Sequence, residues 1–207
     1  MTRRIFLAGG LAALLTTGLA IGWPSPAAAQ MSGADARDLT RISNYLNGVS
    51  TLEGTFVQIG HDGELSEGLF YMRRPGRIRF EYKPPNPALV VADGTWVGVY
   101  DTRLNTLDRI PLGSTPLDLL LSKRVNFRDN NAVRSIERAP GLMRVTAIDP
   151  DAPDQGSITM VFAEAPLELR QWIVVDAQGL TTTVALSEMR SNVKLDPNLF
   201  FIEDPKR

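Results

Sequence analysis

Few residues of this 207-residue chain have the type and spacing that catalysis requires. His61 is its single histidine, and it stands beside Asp62 and Gly63, a composition typical of an exposed turn. The chain holds no cysteine, which excludes thiol nucleophiles, disulfides, thiolate metal sites and a lipid anchor on an N-terminal cysteine. Phosphate-binding glycine loops and the Gly-x-Ser-x-Gly nucleophile motif are also absent. We therefore expect a binding protein that is not an enzyme and uses no metal or cofactor.

The most informative stretch is GLFYMRRPGRIRFEY, residues 68–82. It predicts two strands joined by a tight turn at Pro75-Gly76, because proline presets one turn angle and glycine tolerates the next. Alternation places the apolar side chains of both strands on one face, and Arg74 on that same face. A charge on an apolar face needs backbone or carboxylate partners, so Arg74 is either a structural or a functional clasp. The other three arginines of the stretch are expected to face solvent: Arg73, Arg77 and Arg79.

The first 29 residues predict a cleaved export signal. Arg3 and Arg4 precede an apolar run, and three alanines before Gln30 provide a small-residue cleavage site. Glycines and a proline-containing segment interrupt the run, which makes a retained membrane helix the weaker interpretation. The adjacent arginines fit a twin-arginine signal, with an ordinary Sec signal as the alternative. We expect residues 1–29 to be removed and residues 30–207 to form one domain in the periplasm.

Removal of 29 of the 207 residues leaves 178, the size of one domain. The net charge then changes from −1 to −3, because the signal carries two basic residues and no acidic one. This balance disfavours nucleic acid, whose binding depends on neutralising phosphates. Three aspartates in one proline-rich loop offer oxygen ligands for Ca²⁺: Asp149, Asp151 and Asp154. They lack the glycine and terminal glutamate of an EF-hand loop, so a solvated turn is the better interpretation.

The remaining sequence predicts one N-terminal helix followed by many short strands. Ser32 or Asp35 can cap this helix and Gly48 can end it. Pro116 followed by leucines predicts a second, short helix that ends near Leu121. Strands in hairpin order are expected near residues 52–59, 63–73, 77–83, 87–92, 95–101, 104–109, 132–138, 141–149, 156–163, 168–176 and 180–189. This order predicts an antiparallel sheet curled into a barrel or half-barrel, with the helices over its open side.

Taken together, these segments resemble the LolA family of periplasmic carriers of outer-membrane lipoproteins. The resemblance runs from about Leu39 to Ile202 and depends on the order and spacing of segments, since no single segment is specific. The matching segments are LEGTFVQ at 52–58, GLFYMRRP at 68–75, FEY at 80–82, Pro87, the turn at 93–94 that leads to Tyr100-Asp101, residues 116–121, IVVD at 173–176 with Gly179, and LFF at 199–201.

The resemblance implies a mainly β fold, an incomplete antiparallel barrel of about 11 strands with short helices closing a hydrophobic cavity. It also implies a function. Such a carrier takes acylated lipoproteins from an ATP-driven releasing complex in the inner membrane and shields their acyl chains. It then passes them to an outer-membrane acceptor, either a receptor or the membrane itself. We expect a monomer that works without a cofactor.

Arg74 matches the family's arginine before proline, which implies that it hydrogen-bonds lid backbone from inside and keeps the empty cavity closed. The side chains expected on the cavity wall are Phe56, Phe70, Met72, Ile78 and Phe80. The side chains expected on the lid are Ile42, Leu46, Leu117, Leu120 and Leu121. Ordinary core packing is the alternative for each of these apolar residues.

Two features depart from the family pattern. The sequence ends at Arg207, soon after Phe201, without room for the extra C-terminal strand of some members, which puts donor recognition in question. Arg77 and Arg79 also add charge to the second strand. Other functions therefore stay open: a carrier of free lipids or glycolipids, a sensor of lipid or lipoprotein stress, and an exported lipid hydrolase. A lipidated receptor is disfavoured because no cysteine is available.

Overall fold

The structure, a computed structural model, describes residues 32–128 and 131–202. The predicted export signal, residues 1–29, lies outside the described residues and stays a prediction. Within the described part of the chain, no helix is both long enough and apolar enough to cross a membrane.

Two α-helices are present in these residues, α1 (Gly33–Gly48) and α2 (Leu117–Leu121). Ser32 caps α1: its hydroxyl accepts a hydrogen bond from the backbone N–H of Asp35, whose carboxylate accepts one from the N–H of Ser32. This reciprocal pair satisfies two backbone donors that a helix start otherwise leaves open. Short 3₁₀ turns occupy Leu112–Ser114, Pro153–Gln155 and Pro197–Phe200.

Eleven strands form one antiparallel sheet in the described residues. They are β1 (Thr51–Ile59), β2 (Leu65–Arg73), β3 (Arg77–Tyr82), β4 (Ala88–Asp93), β5 (Trp96–Asp101), β6 (Thr106–Pro111), β7 (Val133–Ala139), β8 (Leu142–Ala147), β9 (Ser157–Glu164), β10 (Leu167–Val175) and β11 (Thr181–Ser191). Their spatial order is β6-β5-β4-β3-β2-β1-β11-β10-β9-β8-β7, so the first strand pairs with the last and β6 and β7 are the two edges. The predicted incomplete antiparallel fold is confirmed.

The sheet is strongly curled, as one aromatic contact demonstrates. Three strands separate β3 from β10, and at about 4.8 Å per strand a flat sheet would hold them roughly 19 Å apart. The ring centroids of Phe80 on β3 and Trp172 on β10 are 6.1 Å apart. The inner faces of the two halves therefore meet, and they enclose one apolar interior.

The predicted register of β2 and β3 is confirmed. Phe70 lies opposite Phe80 and Met72 opposite Ile78, and all four side chains face the interior. Gly68 also lies on the inner face of β2, at a position where a side chain does not fit. A Cβ there would overlap the carbonyl oxygen of Glu81 and approach the ring of Phe56 to 2.8 Å.

The C-terminal segment, residues 193–202, packs against the outer face of β2–β5. Leu195 and Phe200 are buried there with Val91. Arg79 was expected to face solvent, and that expectation is wrong: its side chain is 17% exposed. It contacts Glu81 at 2.6 Å and donates to the carbonyl oxygen of Leu199 at 3.0 Å. Because Arg77 and Arg79 lie on the outer face, they bring no charge to the interior.

Candidate functional site

We refer to α1 and α2 as the lid, since both lie over one end of the curled sheet. Leu39, Ile42 and Leu46 of α1 point into the interior and are buried. Tyr45 packs edge-on against Phe162 with ring centroids 6.1 Å apart, and its hydroxyl accepts a hydrogen bond from the backbone N–H of Leu169 at 3.1 Å. Helix α1 thus rests on the sheet through both apolar and polar contacts.

Arg74, just after β2, connects the two lid helices. One terminal nitrogen donates to the carbonyl oxygen of Leu46, in the last turn of α1. The other donates to the carbonyl oxygen of Ser122, the C-cap of α2, at 2.6 Å. The neighbouring backbone supports this arrangement, because the N–H of Gly76 donates to the carbonyl oxygen of Leu121 at 2.8 Å. The predicted backbone partners of Arg74 are therefore present in the structure.

The electrostatics of Arg74 are unusual because its partners are neutral groups. Both carbonyls belong to helix C-terminal ends, where the helix dipole favours a cation. The Leu46 carbonyl also accepts a hydrogen bond from the Val49 N–H at 3.3 Å. The Nε–H of Arg74 is buried and has no hydrogen-bond acceptor among the described residues. Burial lowers the pKa of this guanidinium from its ordinary value. The hydrogen bonds of Arg74 to the two carbonyls therefore stabilise the closed arrangement. The burial of its charge with an unpaired Nε–H destabilises it.

The segment after α2 is fixed to α1 by side chains that sequence reasoning did not single out. The Asn47 amide donates to the carbonyl oxygen of Val125 at 2.8 Å and accepts from the Val125 N–H at 3.0 Å. The Ser43 hydroxyl accepts from the N–H of Phe127 at 3.2 Å. Val125 and Phe127 are buried in the same core as the lid. Their alternation with polar neighbours in RVNFR is the one sequence signal that could have identified them.

Arg138 of edge strand β7 holds the opposite end of α1. Its Nη2 lies 2.7 Å from Asp35 Oδ1 and 2.6 Å from Asp38 Oδ2, and its Nε lies 3.0 Å from Asp38 Oδ2. The Ser32 hydroxyl and the Arg138 guanidinium lower the pKa of Asp35, and these carboxylates raise the pKa of Arg138. The two ends of α1 are therefore held by two arginines, one at a strand edge and one at the β2–β3 turn.

The apolar residues predicted for the wall and the lid lie together in one buried cluster. Phe56 and Phe80 meet edge-to-face at 5.0 Å, and Phe70 stacks on Phe80 at 6.4 Å. All of them are buried except Leu117, which is half-buried against the cluster. Sequence reasoning missed several large neighbours on the other half of the sheet: Met143, Met160, Phe162 and Trp172. In this conformation the predicted wall side chains pack against the predicted lid side chains.

One polar pair lies at the far margin of this interior. The Tyr82 hydroxyl donates to the side-chain oxygen of Gln58 at 2.8 Å, and the Tyr82 ring meets Phe56 at 5.0 Å. Burial raises the pKa of Tyr82 to about 12. The hydroxyl therefore stays neutral at any physiological pH. His61, in contrast, is an exposed residue of the β1–β2 turn.

The sequence is similar to those of known proteins. The model of the family described as outer membrane lipoprotein carrier protein LolA matches residues 47–203. An outer-membrane lipoprotein carrier protein of Methylococcus capsulatus is 28% identical over 183 residues, covering 84% of this chain and 87% of that protein. One of the same description from Halorhodospira halophila is 30% identical over 190 residues, covering 85% of this chain and 86% of the relative. Since the family model spans most of the sequence, the chain belongs to the LolA family of outer-membrane lipoprotein carrier proteins.

Proposed function

We propose that this protein is a periplasmic carrier that shields the acyl chains of lipoproteins on their way from the inner to the outer membrane. The observation that carries the proposal is the bridge from Arg74 to the last turns of both lid helices, over an apolar interior, in a member of the LolA family. The guanidinium holds the C-terminal ends of both helices from a buried position beside this interior.

Cargo binding on this fold is an exchange of apolar contacts. Each methylene group kept from water is worth about 0.8 kcal/mol, so an acylated protein needs a cover to cross an aqueous compartment. Leu39, Ile42 and Leu46 fill the space beside Phe70 and Phe80 in the closed form. We propose that acyl chains take the place of these lid side chains, so that apolar burial is similar in the empty and the loaded forms.

Arg74 acts as the lid clasp in this scheme. In the closed form it gains hydrogen bonds to the carbonyls of Leu46 and Ser122, but its Nε–H stays unpaired in a buried position. Opening exposes the guanidinium to water and removes that cost. The cost of the buried, unpaired Nε–H makes opening of the lid easier. The two hydrogen bonds still favour the closed lid once the cargo has left.

The direction of transport has to come from partners, because we infer no energy source within this chain. We propose that an ATP-driven releasing complex in the inner membrane loads the carrier. An outer-membrane acceptor, either a receptor or the membrane itself, then unloads it. Catalysis has no role in this scheme, and His61, exposed in its turn, takes no part in it.

A release assay tests the function. The protein without residues 1–29 is incubated with inner-membrane vesicles that carry labelled lipoproteins, with and without ATP. The expected result is a soluble one-to-one complex of lipoprotein and carrier that forms only with ATP. Failure under conditions in which a known carrier of the family succeeds would overturn the proposal. Native mass spectrometry of protein from its own host adds a second readout, since a lipoprotein contributes a polypeptide mass and a free lipid does not.

A further inference from the structure

The inner face of β1 and β2 changes from apolar to polar near the end of the sheet that is remote from the lid. Along β2 this face carries Met72, Phe70 and Gly68, and the next position on it is Ser66, which is buried. Ser66 lies directly opposite Gln58 of β1. The inner face of an antiparallel sheet is usually apolar and buried polar groups need partners, so this polar pair needs an explanation.

Each member of the pair is held by a hydrogen bond from a neighbouring element. The Tyr82 hydroxyl of β3 donates to the side-chain oxygen of Gln58 at 2.8 Å, and the Asn86 amide donates to the Ser66 hydroxyl at 2.9 Å. Asn86 lies in the loop between β3 and β4, where its side-chain oxygen accepts from the N–H of Ala88 at 2.9 Å. We refer to four of these side chains as the polar floor: Gln58, Ser66, Tyr82 and Asn86.

Packing holds the polar floor in place. The ring of Tyr82 meets Phe56 edge-on with centroids 5.0 Å apart. The Phe56 ring in turn covers Gly68, where an added Cβ would lie 2.8 Å from it. If Tyr82 moved away, its hydroxyl and the Gln58 oxygen would lose each other as partners in a largely buried place, which is unfavourable. The polar floor is therefore a firm end wall for an apolar ligand.

The distance from the lid to the polar floor fits one acyl chain. Met72, two residues before Arg74, and Ser66 are six positions apart on β2, which is roughly 20 Å at about 3.3 Å per residue. The hydrocarbon core of a bilayer is about 30 Å thick, so one leaflet gives an acyl chain about 15 Å. The space beside Phe70 and Phe80, which the lid side chains fill in the closed form, leads to the polar floor.

We propose that the polar floor stops the terminal methyl group of the cargo's acyl chain and so sets the longest chain that the carrier shields completely. The inference rests on the proposed function. The carbonyl end of the chain stays at the lid, beside the polypeptide of the cargo. A longer chain has to leave methylene groups in water or break the hydrogen bond between Tyr82 and Gln58. Affinity therefore rises with chain length only until the chain reaches the polar floor.

The first test is a competition between the wild type and the double variant Q58V/Y82V, in which valine suits a strand and gives a lower, apolar floor. Both proteins are mixed with peptides that carry one saturated acyl chain of about 12 to 22 carbons, and native mass spectrometry separates the two complexes by mass. The two proteins share the same free peptide, so aggregation of the peptide does not affect the ratio of complexes.

For short chains the ratio of complexes should be independent of chain length. Beyond the length that reaches the polar floor, it should rise in favour of Q58V/Y82V by about fourfold for each methylene that the lower floor newly covers. Tyr100→Val is the matched control, because it removes a β5 tyrosine whose hydroxyl donates to the exposed Asn105 at 2.7 Å. Its ratio to the wild type should stay constant at all lengths.

A second measurement leaves the polar floor unaltered and uses Trp172 as a probe. Gln58 lies opposite Val184, which lies opposite Trp172, so this buried tryptophan stands at the level of the polar floor. Trp96→Phe leaves Trp172 as the one tryptophan of the protein without residues 1–29. Bromine quenches tryptophan fluorescence on close approach. Bromine at the methyl end of the acyl chain should therefore quench Trp172 more strongly than bromine beside the carbonyl.

The outcomes separate the polar floor from the carrier function. If the ratio of Q58V/Y82V to wild-type complexes does not change with chain length, the polar floor is overturned and acyl binding stands. Stronger quenching of Trp172 by bromine beside the carbonyl overturns it as well, whether or not the double variant is stable. If the wild type binds no acylated peptide of any length, the polar floor and the proposed carrier function both fail.

Discussion

Arg74 Nη2 lies 2.6 Å from the carbonyl oxygen of Ser122, and the other terminal nitrogen of Arg74 donates to the carbonyl of Leu46. One side chain thereby joins the ends of two helices that are distant in sequence. Since no carboxylate neutralises Arg74 among the ion pairs of the described residues, the carbonyls of the two helix ends supply its compensation. Arg74 therefore links the C-terminal ends of both lid helices.

Arg74→Leu tests the importance of this link. Leucine suits the apolar surroundings, so the fold should persist and cargo should still load. Loss of the bonds to Leu46 and Ser122 disfavours the closed empty form, and delivery should slow by about tenfold, since hydrogen bonds to charged groups contribute about 1.5–3 kcal/mol each before the cost of burial is subtracted. The measurement is the rate of lipoprotein transfer from preloaded carrier to outer-membrane vesicles. Arg73→Leu is the matched control, and equal transfer by both variants would contradict the clasp.

Arg138→Met should loosen the start of α1 and leave the global fold unchanged. The ion pairs with Asp35 and Asp38 lie near the surface, where solvent and salt weaken such contacts. Amide hydrogen exchange near the start of α1 should accelerate roughly twofold to fivefold at low salt. The difference from the wild type should shrink in 1 M salt, where the screening length is about 3 Å.

Arg41→Met is the control for Arg138, because Arg41 also pairs with Asp38, at 3.1 Å, but lies within α1 itself. That variant removes a local pair without releasing the helix from β7. Equal exchange rates in the two variants would mean that Arg138 contributes nothing to the position of α1.

Gly68→Ala should strongly destabilise the protein, by about 3 kcal/mol or more. A methyl group there would overlap the carbonyl oxygen of Glu81 on the paired strand, and backbone cannot move aside as a flexible side chain does. The measurement is the free energy of unfolding in urea. Gly113→Ala, where a Cβ meets no atom within 4 Å, serves as the control and should be near neutral. A Gly68 variant as stable as this control would refute the close strand approach.

The sequence predicts local features of this fold well and long-range ones poorly. The capping of α1 by Ser32 and the turn at Pro75-Gly76 depend on neighbouring residues, and both are present. All eleven strands were also predicted, because alternation and turn residues are local signals. The contact of Arg79 with Leu199 joins residues far apart in the chain, and no local pattern encodes it.

The contacts of the candidate site are likewise predicted only in part. The inward position of Arg74 follows from strand register, and its partners on the lid were implied by the family resemblance. The polar contacts of Asn47 with Val125 and of Ser43 with Phe127 were not foreseen, because the segment after α2 forms neither helix nor strand. The alternation in RVNFR identifies the buried side chains of such a segment, but not the polar residues of α1 that hydrogen-bond to its backbone.

Asp118→Asn should stabilise the lid at neutral pH. Burial, and secondarily the negative charge of Asp149, raise the pKa of Asp118 above its ordinary value of 3.8. The folded protein therefore holds the Asp118 proton more tightly than the unfolded chain does, so the contribution of Asp118 to stability is fully present below pH 3.8 and is lost as the pH rises through the raised folded pKa. Asparagine carries no charge, so it avoids the cost of burying an ionised carboxylate. Because Asp118 is partly exposed, the expected gain in Tm at pH 7 is only about 1–2 °C.

Calorimetry of the Asp118→Asn variant and the wild type at pH 7 and near pH 3 tests this prediction, and the difference in Tm should vanish at the lower pH. A variant that melts below the wild type at pH 7 would mean that the Asp118 carboxylate has a stabilising partner in the folded protein.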